Sequence, residues 1–309
     1  MTRKQLAIPV VFVLLGAVLM LPNLGRRSLW SDEAGTALYA RTILTHGIPI
    51  AFDGVNVPHS SDFNSDLVLV KLPWLPYYIT AGSFAAIGVD AFSARLPFVL
   101  FSLGTIGLFW FMAHKLFACR RAAVVSTLIL VLSTAFLLYS RQCRYYAPCI
   151  FFTLLSMSAY PTLSLQSKRS LVLFIVAMVG VFHSNYLVFF CLAGAWLVDF
   201  LAFDRSTGKA QTGLIAAMLI AVMTLPWLVY AECFSRIAGD SQFDSASHMA
   251  RLFVGYYMKL NWLCLLPAVF AIALPLLIFY KTPDGWKVHV WPCRMLMFFA
   301  VYIALLAVF

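Results

Sequence analysis

The stretch "LPFVLFSLGTIGLFWFMA" (residues 96–113) contains eighteen residues and no charged side chain. As a helix it is long enough to cross the hydrocarbon core of a bilayer, which is about 30 Å thick. Its apolar residues are continuous rather than alternating, which favours a helix over a strand. A helix also satisfies its own backbone polar groups, as lipid requires.

Similar runs recur along the chain, which has 309 residues, 62% hydrophobic, 11% charged and with a mean hydropathy of +0.89. Soluble domains average about half apolar and about a quarter charged residues. We therefore predict an all-α polytopic membrane protein, a bundle of about nine transmembrane helices forming a single domain over residues 1–309. The predicted spans are 7–24, 96–113, 122–138, 147–164, 171–183, 186–203, 211–230, 260–280 and 293–309.

The charged residues predict the orientation. With the N-terminus in the cytoplasm, twelve of the 22 basic residues and only three of the 12 acidic ones fall on the inside. This is the distribution that the positive-inside rule expects of an inner or plasma membrane protein. The net charge of +10 is therefore explained mainly by topology, and no soluble basic segment indicates nucleic-acid binding.

One apolar run, "LPWLPYYITAGSFAAIG" (72–88), interrupts this scheme, because counting it as a span would invert every later loop. We interpret it as a helix lying at the external interface, where Trp74, Tyr77 and Tyr78 are well placed. The first external loop then covers 25–95, and the polar loop 231–259 is a candidate lid. The chain ends inside an apolar run, and we expect that a C-terminal portion is missing.

Two adjacent carboxylates, Asp32 and Glu33, begin this external loop. In the structural interpretation Ser31 caps a helix and the two acids complement its dipole in the first turn, which contributes about 0.3–1 kcal/mol. In the functional interpretation a carboxylate at the membrane surface serves as a general base on a hydroxyl. The sequence physics leaves both open.

Candidate cations for an anionic partner fall on the same side. Arg141 and Arg144 are three residues apart, so on a helix they would share a face and could bind phosphate, with Tyr145 beside them. Lys71 is a further candidate, and His183 lies in a polar break between two spans. The alternatives are snorkelling of the arginines to lipid headgroups and a helix-end role for His183.

Four stretches carry a resemblance: "SLWSDEAGTALYARTILTHGIP" (28–49), the segment 71–110, "LSTAFLLYSRQCRYYAPCIFF" (132–152) and "FHSNYLVFF" (182–190). In this order they resemble the GT-C class of integral-membrane glycosyltransferases, closest to the protein O-mannosyltransferase-like and aminoarabinose-transferase-like enzymes. The resemblance covers roughly residues 8 to 230.

The resemblance implies an inverting sugar transfer at an external site from a polyprenyl-phosphate donor. It implies Asp32 as the base, Glu33 as its neighbour or a binder, and Lys71, Arg141 and Arg144 as ligands of the leaving phosphate. The acceptor remains open among protein, glycolipid and glycan. Relatives often carry His-Pro-Pro or Lys-Pro-Pro where this chain reads "KLPW", in which only Lys71 and Pro73 match that element.

We expect no cofactor. The insertion 53–70 holds Asp53, His59, Asp62 and Asp66, which could attract a divalent cation, but the spacing fits no standard metal loop. Two other functions compete with transfer: a transporter, against which the nearly charge-free spans argue, and a non-catalytic membrane scaffold.

Overall fold

The computed structural model describes residues 3–52, 54–55, 63–116, 120–203, 207–231, 279–282 and 285–288. Within them the chain forms ten α-helices, a single 3-10 turn and one small hairpin. The helices are α1 (Arg3–Met20), α2 (Ser31–His46), α3 (Leu75–Ile87), α4 (Ala91–Leu116), α5 (Arg120–Leu132), α6 (Thr134–Ser140), α7 (Tyr146–Ala159), α8 (Lys168–Ser184), α9 (Tyr186–Phe203) and α10 (Thr207–Tyr230). The 3-10 turn is Tyr160–Thr162, and strands β1 (Phe279–Thr282) and β2 (Gly285–Val288) pair antiparallel.

The predicted helical class is confirmed. Three helices, over Ala91–Lys115, Tyr186–Phe203 and Gly208–Tyr230, are long and apolar enough to cross a membrane, and α5 with α6 makes a fourth if the bent pair is one span. The remaining predicted spans in the described part correspond to α7 and α8, which are shorter helices, and to α1, whose apolar part Ala7–Met20 is also shorter.

Two predicted spans need correction. The span 122–138 is broken between α5 and α6 by a bend of 57°. Ser133 lies at the break, and its Oγ accepts the Phe136 N–H, so a local side-chain bond caps the second half as a new helix. The span 260–280 cannot end as predicted, because residues 279 and 280 belong to β1. The rest of 260–280, the span 293–309 and nearly all of the candidate lid 231–259 lie outside the described residues.

The ambiguous run 72–88 forms α3, which has 13 residues and is about 20 Å long, shorter than the hydrocarbon core of a bilayer. Pro76 lies in its first turn, and Gly88, at a φ of 95°, ends it. The helix packs against α2 and α4, and Tyr39 on α2 meets Tyr77 edge to face at 5.2 Å between ring centroids. Its length supports the interfacial interpretation.

The connections gather at two ends of the bundle. One end, which we call the α2 end, holds α2, α3, the loop 141–145 between α6 and α7, and the α8–α9 junction at Asn185. Contacts between distant residues hold it together: Arg141 bonds the carbonyl of Pro22 at 2.8 Å, and the Trp74 and Trp227 rings lie 4.5 Å apart. The opposite end holds the 3-10 turn, where Lys209 of α10 lies 5.2 Å from the Tyr160 ring centroid.

Candidate active site

A buried ion pair holds the first turn of α2. Glu33 is 1% exposed, and Arg95 on α4 donates from Nε to its Oε1 at 2.9 Å and from Nη2 to its Oε2 at 2.5 Å. Two parallel bonds are the geometry in which a guanidinium binds a carboxylate most strongly. Since both groups are withdrawn from water, such a pair is stable only when its remaining hydrogen-bonding capacity is also satisfied.

Backbone carbonyls satisfy the rest of Arg95. Its Nη1 donates to the carbonyls of Leu24 and Arg27, both at 2.9 Å, and its Nη2 donates to the carbonyl of Ser28 at 3.1 Å. All three acceptors belong to the segment between α1 and α2. One side chain thereby fixes the path by which the chain enters α2.

Glu33 reaches in the other direction, to the loop 141–145. The Cys143 N–H donates to Glu33 Oε1 at 3.1 Å, and the Cys143 thiol lies 3.7 Å from the Glu33 carbonyl oxygen. Burial raises the pKa of the Cys143 thiol far above its ordinary value, so this thiol stays neutral and inert. The Glu33–Arg95 pair therefore joins the entry to α2, α2 itself, α4 and the loop 141–145.

Unlike Glu33, the neighbouring Asp32 is open to solvent. Its side chain is 43% exposed, and its Oδ2 lies 3.2 Å from Nη2 of Arg144. Both acids occupy the first turn of α2, as the structural interpretation expects, but the cap is not Ser31. Trp30 holds the N-cap position, with its N–H 3.5 Å from the Glu33 carboxylate, because its extended backbone leaves Ser31 already helical.

The prediction that Arg141 and Arg144 share a helical face is wrong. Residues 141–145 lie between the end of α6 at Ser140 and the start of α7 at Tyr146, in turns and bends rather than in a helix. Arg141 turns toward α1 and bonds the Pro22 carbonyl, whereas Arg144 turns toward Asp32 and lies 5.6 Å from the Tyr145 ring centroid. The two arginines therefore face different clefts.

The cleft beside Arg144, which we call the α9 cleft, has a volume of about 700 Å³. It begins at the α2 end and follows α9 from Tyr186 to Gly194, eight residues or about 12 Å of helix. Its wall is mostly apolar, with polar groups near Arg144. Its lining residues are Thr36, Leu72, Pro73, Pro76, Tyr77, Arg144, Tyr145, Ser184, Asn185, Tyr186, Leu187, Phe190 and Gly194.

The cleft beside Arg141, which we call the α1 cleft, has a volume of about 1040 Å³. It lies between the end of α1, the segment leading to α2, and α6. Its lining residues are Leu19, Pro22, Asn23, Leu24, Arg26, Arg27, Ser28, Trp30, Glu33, Arg95, Thr134, Leu137, Leu138, Arg141 and Gln142.

Of the other candidate binding residues, Tyr145 lines the α9 cleft, whereas Lys71 and His183 do not. Burial raises the pKa of the Tyr145 phenol. Lys71 directly precedes Leu72 and Pro73 in that lining but is not itself part of it. His183 is not brought to the cleft: it lies in the last turn of α8, bonded to the backbone of Met223, and the next two residues of the chain line the cleft instead.

Within the described ranges no three His, Cys, Asp or Glu side chains come together in a way that could hold a metal ion. Three of the four candidate ligands in the insertion 53–70, Asp53, His59 and Asp62, lie outside those ranges. The metal expectation for this insertion stays a prediction.

Sequence reasoning missed Arg95 and Gln142. Arg95 was read as the residue that closes the external loop, whereas α4 begins four residues earlier and includes it. A signal existed, since an arginine at the head of an apolar span needs a partner, and Glu33 is one of the acids of the external loop that precedes the span. Gln142 gave no signal of its own.

The sequence matches the model of a known protein family. The family described as dolichyl-phosphate-mannose-protein mannosyltransferase matches residues 71–230, about half of the chain. The chain belongs to this family. The resemblance drawn from the sequence motifs is confirmed at the level of the family.

Solved structures show that this family member has a GT-C fold. ArnT from Cupriavidus metallidurans bound to undecaprenyl phosphate matches 96% of the chain at a TM-score of 0.57 and 18% identity. The archaeal oligosaccharyltransferase AglB from Archaeoglobus fulgidus, in complex with an inhibitory peptide and a dolichol-phosphate, matches 97% at a TM-score of 0.56 and 14% identity. The chain spans 59% of the ArnT chain and 43% of the AglB chain. No curated protein matches the sequence significantly.

Proposed function

We propose that the protein transfers a sugar from a polyprenyl-phosphate donor to an acceptor on the external face of the membrane, with Asp32 as the base. The observation that supports this most directly is the contact of Asp32 with Arg144, 3.2 Å apart, because Arg144 lines the α9 cleft. It puts a candidate base beside a candidate phosphate ligand. Membership of a mannosyltransferase family and the lipid phosphates bound in the two related structures support this choice.

The α9 cleft suits a lipid phosphate at its polar end. Arg144 Nε is buried and has no hydrogen-bond acceptor among the described residues, although the guanidinium also faces Asp32. A buried donor without an acceptor is costly, and a phosphate oxygen is the kind of acceptor that a guanidinium binds best. The Tyr145 hydroxyl is a second potential donor in the same wall.

The apolar part of the cleft suits the lipid chain. Leu187, Phe190 and Gly194 follow one another along α9 at helical spacing and continue the groove away from Arg144. A polyprenyl chain would bury apolar surface there while its phosphate stays at the α2 end. Lys71, just outside the lining, stays a prediction as a further phosphate ligand.

The acceptor oxygen attacks the anomeric carbon of the donor, the bond from that carbon to the phosphate oxygen breaks with its electron pair, and polyprenyl phosphate leaves. The proton of the acceptor moves to Asp32. Attack from the side opposite the phosphate inverts the anomeric centre. Arg144 stabilises the charge that develops on the leaving phosphate, which is usually a large contribution to catalysis.

Because Asp32 and Arg144 form an ion pair, donor binding to Arg144 would also free the Asp32 carboxylate. A phosphate that binds Arg144 competes with Asp32 for the same guanidinium. The carboxylate is then released at the moment when the donor is in place, and its 43% exposed side chain can accept the proton of an acceptor hydroxyl.

In this proposal Glu33 does not bind substrate, which is one of the two roles that the resemblance implied for it. Its carboxylate is engaged by Arg95 and by Cys143, so it is a positioning residue rather than a base or ligand. By holding the start of α2 against the loop 141–145, it sets the distance between Asp32 and Arg144.

The test is the substitution Asp32→Asn in membranes supplied with labelled polyprenyl-phosphate sugars. We expect loss of transfer by a factor of about 100 or more, with membrane insertion and donor binding retained, because the amide keeps the shape but cannot take the proton. The matched control is Asp66→Asn, an exposed acid of the same external loop, which should transfer normally. Full-rate transfer by a correctly inserted Asp32→Asn variant contradicts the base assignment.

A further inference from the structure

Aromatic side chains gather beside the α9 cleft where α3, α9 and α10 meet at the α2 end. Trp227, in the last turn of α10, meets the Trp74 ring edge to face at 4.5 Å between centroids and lies 5.7 Å from the Tyr230 ring. Its indole Nε1 donates a hydrogen bond to the hydroxyl of Tyr186, the first residue of α9. Tyr186 lines the cleft, so Trp227 contacts a residue of the cleft wall without being part of the lining itself.

Membrane anchoring does not account for the direction of the two indole N–H groups. Tryptophan and tyrosine collect at membrane interfaces, where the ring is apolar and its polar end meets water or headgroups. Here both polar ends bond inside the protein instead: Trp74 Nε1 donates to the carbonyl of Leu69 at 2.7 Å, and Trp227 Nε1 donates to Tyr186. The Trp74 bond holds the external loop against α3. The Trp227 bond has no such backbone partner and is directed at a side chain of the cleft.

The bond from Trp227 determines how the Tyr186 hydroxyl is oriented. An indole N–H can only donate a hydrogen bond, whereas a phenol hydroxyl can donate and accept. The Tyr186 oxygen is therefore the acceptor, and its own proton points away from Trp227. A hydroxyl that accepts one hydrogen bond is polarised and becomes a stronger donor in the next. Trp227 thereby makes Tyr186 an oriented and strengthened donor in the wall of the α9 cleft.

Contacts with three helices hold Tyr186 in place. Asn185 Oδ1 accepts the Val188 N–H at 3.0 Å and so caps α9 immediately before Tyr186. The Tyr186 ring packs against Phe182 of α8, at 5.2 Å between centroids, and its hydroxyl bonds Trp227 of α10. A side chain fixed in this way loses little freedom when a ligand binds, so its hydroxyl is preorganised.

The neighbouring groups in the cleft call for a ligand that accepts several hydrogen bonds. Arg144 and Tyr145 line the same cleft as Tyr186, and the described lining residues include no aspartate or glutamate. A guanidinium offers only donors, and Arg144 Nε is buried without an acceptor among the described residues. A phosphate brings several acceptor oxygens and no obligatory donor, so it can meet both the guanidinium and an oriented phenol.

We propose that Trp227 is a positioning residue of the transferase, whose indole N–H orients Tyr186 so that the phenol donates to the phosphate of the polyprenyl-phosphate donor. The inference rests on the proposed function, because the donor phosphate is the group that this hydroxyl meets. The proton stays on Tyr186 throughout, and its hydrogen bond strengthens as negative charge grows on the leaving phosphate. Trp227 does not touch the donor and acts only through Tyr186.

The experiment measures binding of radiolabelled undecaprenyl phosphate, which carries no sugar, to the full chain in nanodiscs. In Trp227→Phe the dissociation constant should rise about three- to tenfold, as for the loss of one hydrogen bond, and Tyr186→Phe should weaken binding at least as much. The double variant should bind no more weakly than Tyr186→Phe alone, because Trp227 acts through that hydroxyl. The control is Tyr230→Phe, which removes a hydroxyl next to Trp227 and should bind normally.

Because Trp227 also packs against Trp74, the phenylalanine variant could lose its fold, so a second variant keeps the test decisive. Benzothienylalanine at position 227 retains the bicyclic ring and replaces the N–H by sulfur. We expect this protein to melt like the native chain and to show the same three- to tenfold weaker binding, on the order of one hydrogen bond.

Three results would overturn the proposal. Native binding by the benzothienylalanine protein would show that the N–H has no part in it, and additive losses in the double variant would mean that Trp227 only packs. Weaker binding of the sugar-bearing donor alone, with undecaprenyl phosphate bound normally, would place the sugar rather than the phosphate at Tyr186. Arg144→Ala separates the two proposals: if it leaves donor use unchanged, the proposed function fails. If it impairs donor use while the Trp227 variants do not, only the role of Trp227 fails.

Discussion

At the residue scale the arrangement depends on two neighbouring carboxylates with opposite environments. Glu33 is sealed from solvent and bonded on three sides, while Asp32 is exposed and meets one guanidinium. Adjacent positions on a helix point about 100° apart, which is enough to place one acid in the core and the next at the surface. The same dipeptide therefore provides both an anchor and a candidate base.

Removal of the buried charge should destabilise the protein. Glu33→Gln leaves the guanidinium of Arg95 buried without its counter-ion, a change that costs about 3–5 kcal/mol where such pairs have been broken. We expect a clear fall in the melting temperature in detergent, whereas Asp66→Asn, an exposed acid, should melt like the native chain.

A double variant that exchanges the two charges tests whether the ion pair alone stabilises the protein. In the double variant Glu33→Arg, Arg95→Glu the ion pair is formally restored, but a glutamate cannot donate to the carbonyls of Leu24, Arg27 and Ser28. We expect no rescue of the melting temperature. Full rescue would mean that the charge pair alone, without its backbone bonds, stabilises the site.

Substitution of Arg144 should act mainly on the donor. Arg144→Ala removes the guanidinium from the mouth of the α9 cleft, and the loss of one or two charged hydrogen bonds corresponds to a KM for the donor raised by about ten- to a hundredfold. Arg144→Lys should recover part of the loss, since it restores the charge without the bidentate geometry. Arg169→Ala, exposed at the start of α8, is the control. An unchanged dependence of the rate on donor concentration would remove Arg144 from the proposed site.

At the element scale the positions of Asp32 and Arg144 depend on how α7 packs against its neighbours. An added Cβ at Gly180 on α8 would lie 2.6 Å from ring atoms of Phe152 on α7. That ring cannot easily swing away, because the Phe101 ring of α4 lies 5.7 Å from it. Three helices are thus packed tightly around one glycine, and α7 continues directly from the loop that carries Arg144.

Gly180→Ala should therefore destabilise the bundle by about 1–3 kcal/mol through overpacking. The matched control is Gly82→Ala on α3, where a Cβ would meet nothing within 4 Å. There the same substitution should be neutral or stabilise by up to about 1 kcal/mol, because alanine favours a helix interior. Thermal unfolding in detergent measures both, and equal melting temperatures for the two variants would contradict the packing account.

The elements also show what the sequence could predict. Hydropathy located α4, α9 and α10 because length and composition suffice for an uninterrupted apolar helix. It did not locate the bend at Ser133, which depends on one side-chain bond. It placed the connection between the third and fourth spans correctly, but not the non-helical path of 141–145 that separates the two arginines. Asp32 and Arg144 were candidates from sequence, but the partition of Arg141 and Arg144 between two clefts required the tertiary structure.

At the scale of the whole molecule the contacts place α2, α3 and the proposed site at one end of the bundle. Lys115, near the end of α4, should then lie on the opposite side of the membrane, as charge counting expects. In a cysteine-free background we expect Lys115→Cys to react with a membrane-impermeant maleimide only after the membrane is opened. Tyr78→Cys on α3, 41% exposed in the native side chain, should react in intact cells. Labelling of Lys115→Cys in intact cells would mean that 72–88 crosses the bilayer.

The Glu33–Arg95 pair has a consequence for biogenesis. Glu33 is translated 62 residues before Arg95 and 110 residues before Cys143. Until Arg95 has emerged from the ribosome, the carboxylate lacks its counter-ion and has to remain hydrated outside the bilayer. The hydrogen bond between Glu33 and Cys143 can therefore form only after the α5–α6 segment has been inserted. Formation of the site becomes a late step of membrane integration, and a chain stalled before residue 143 would present an open α2 to the quality-control machinery.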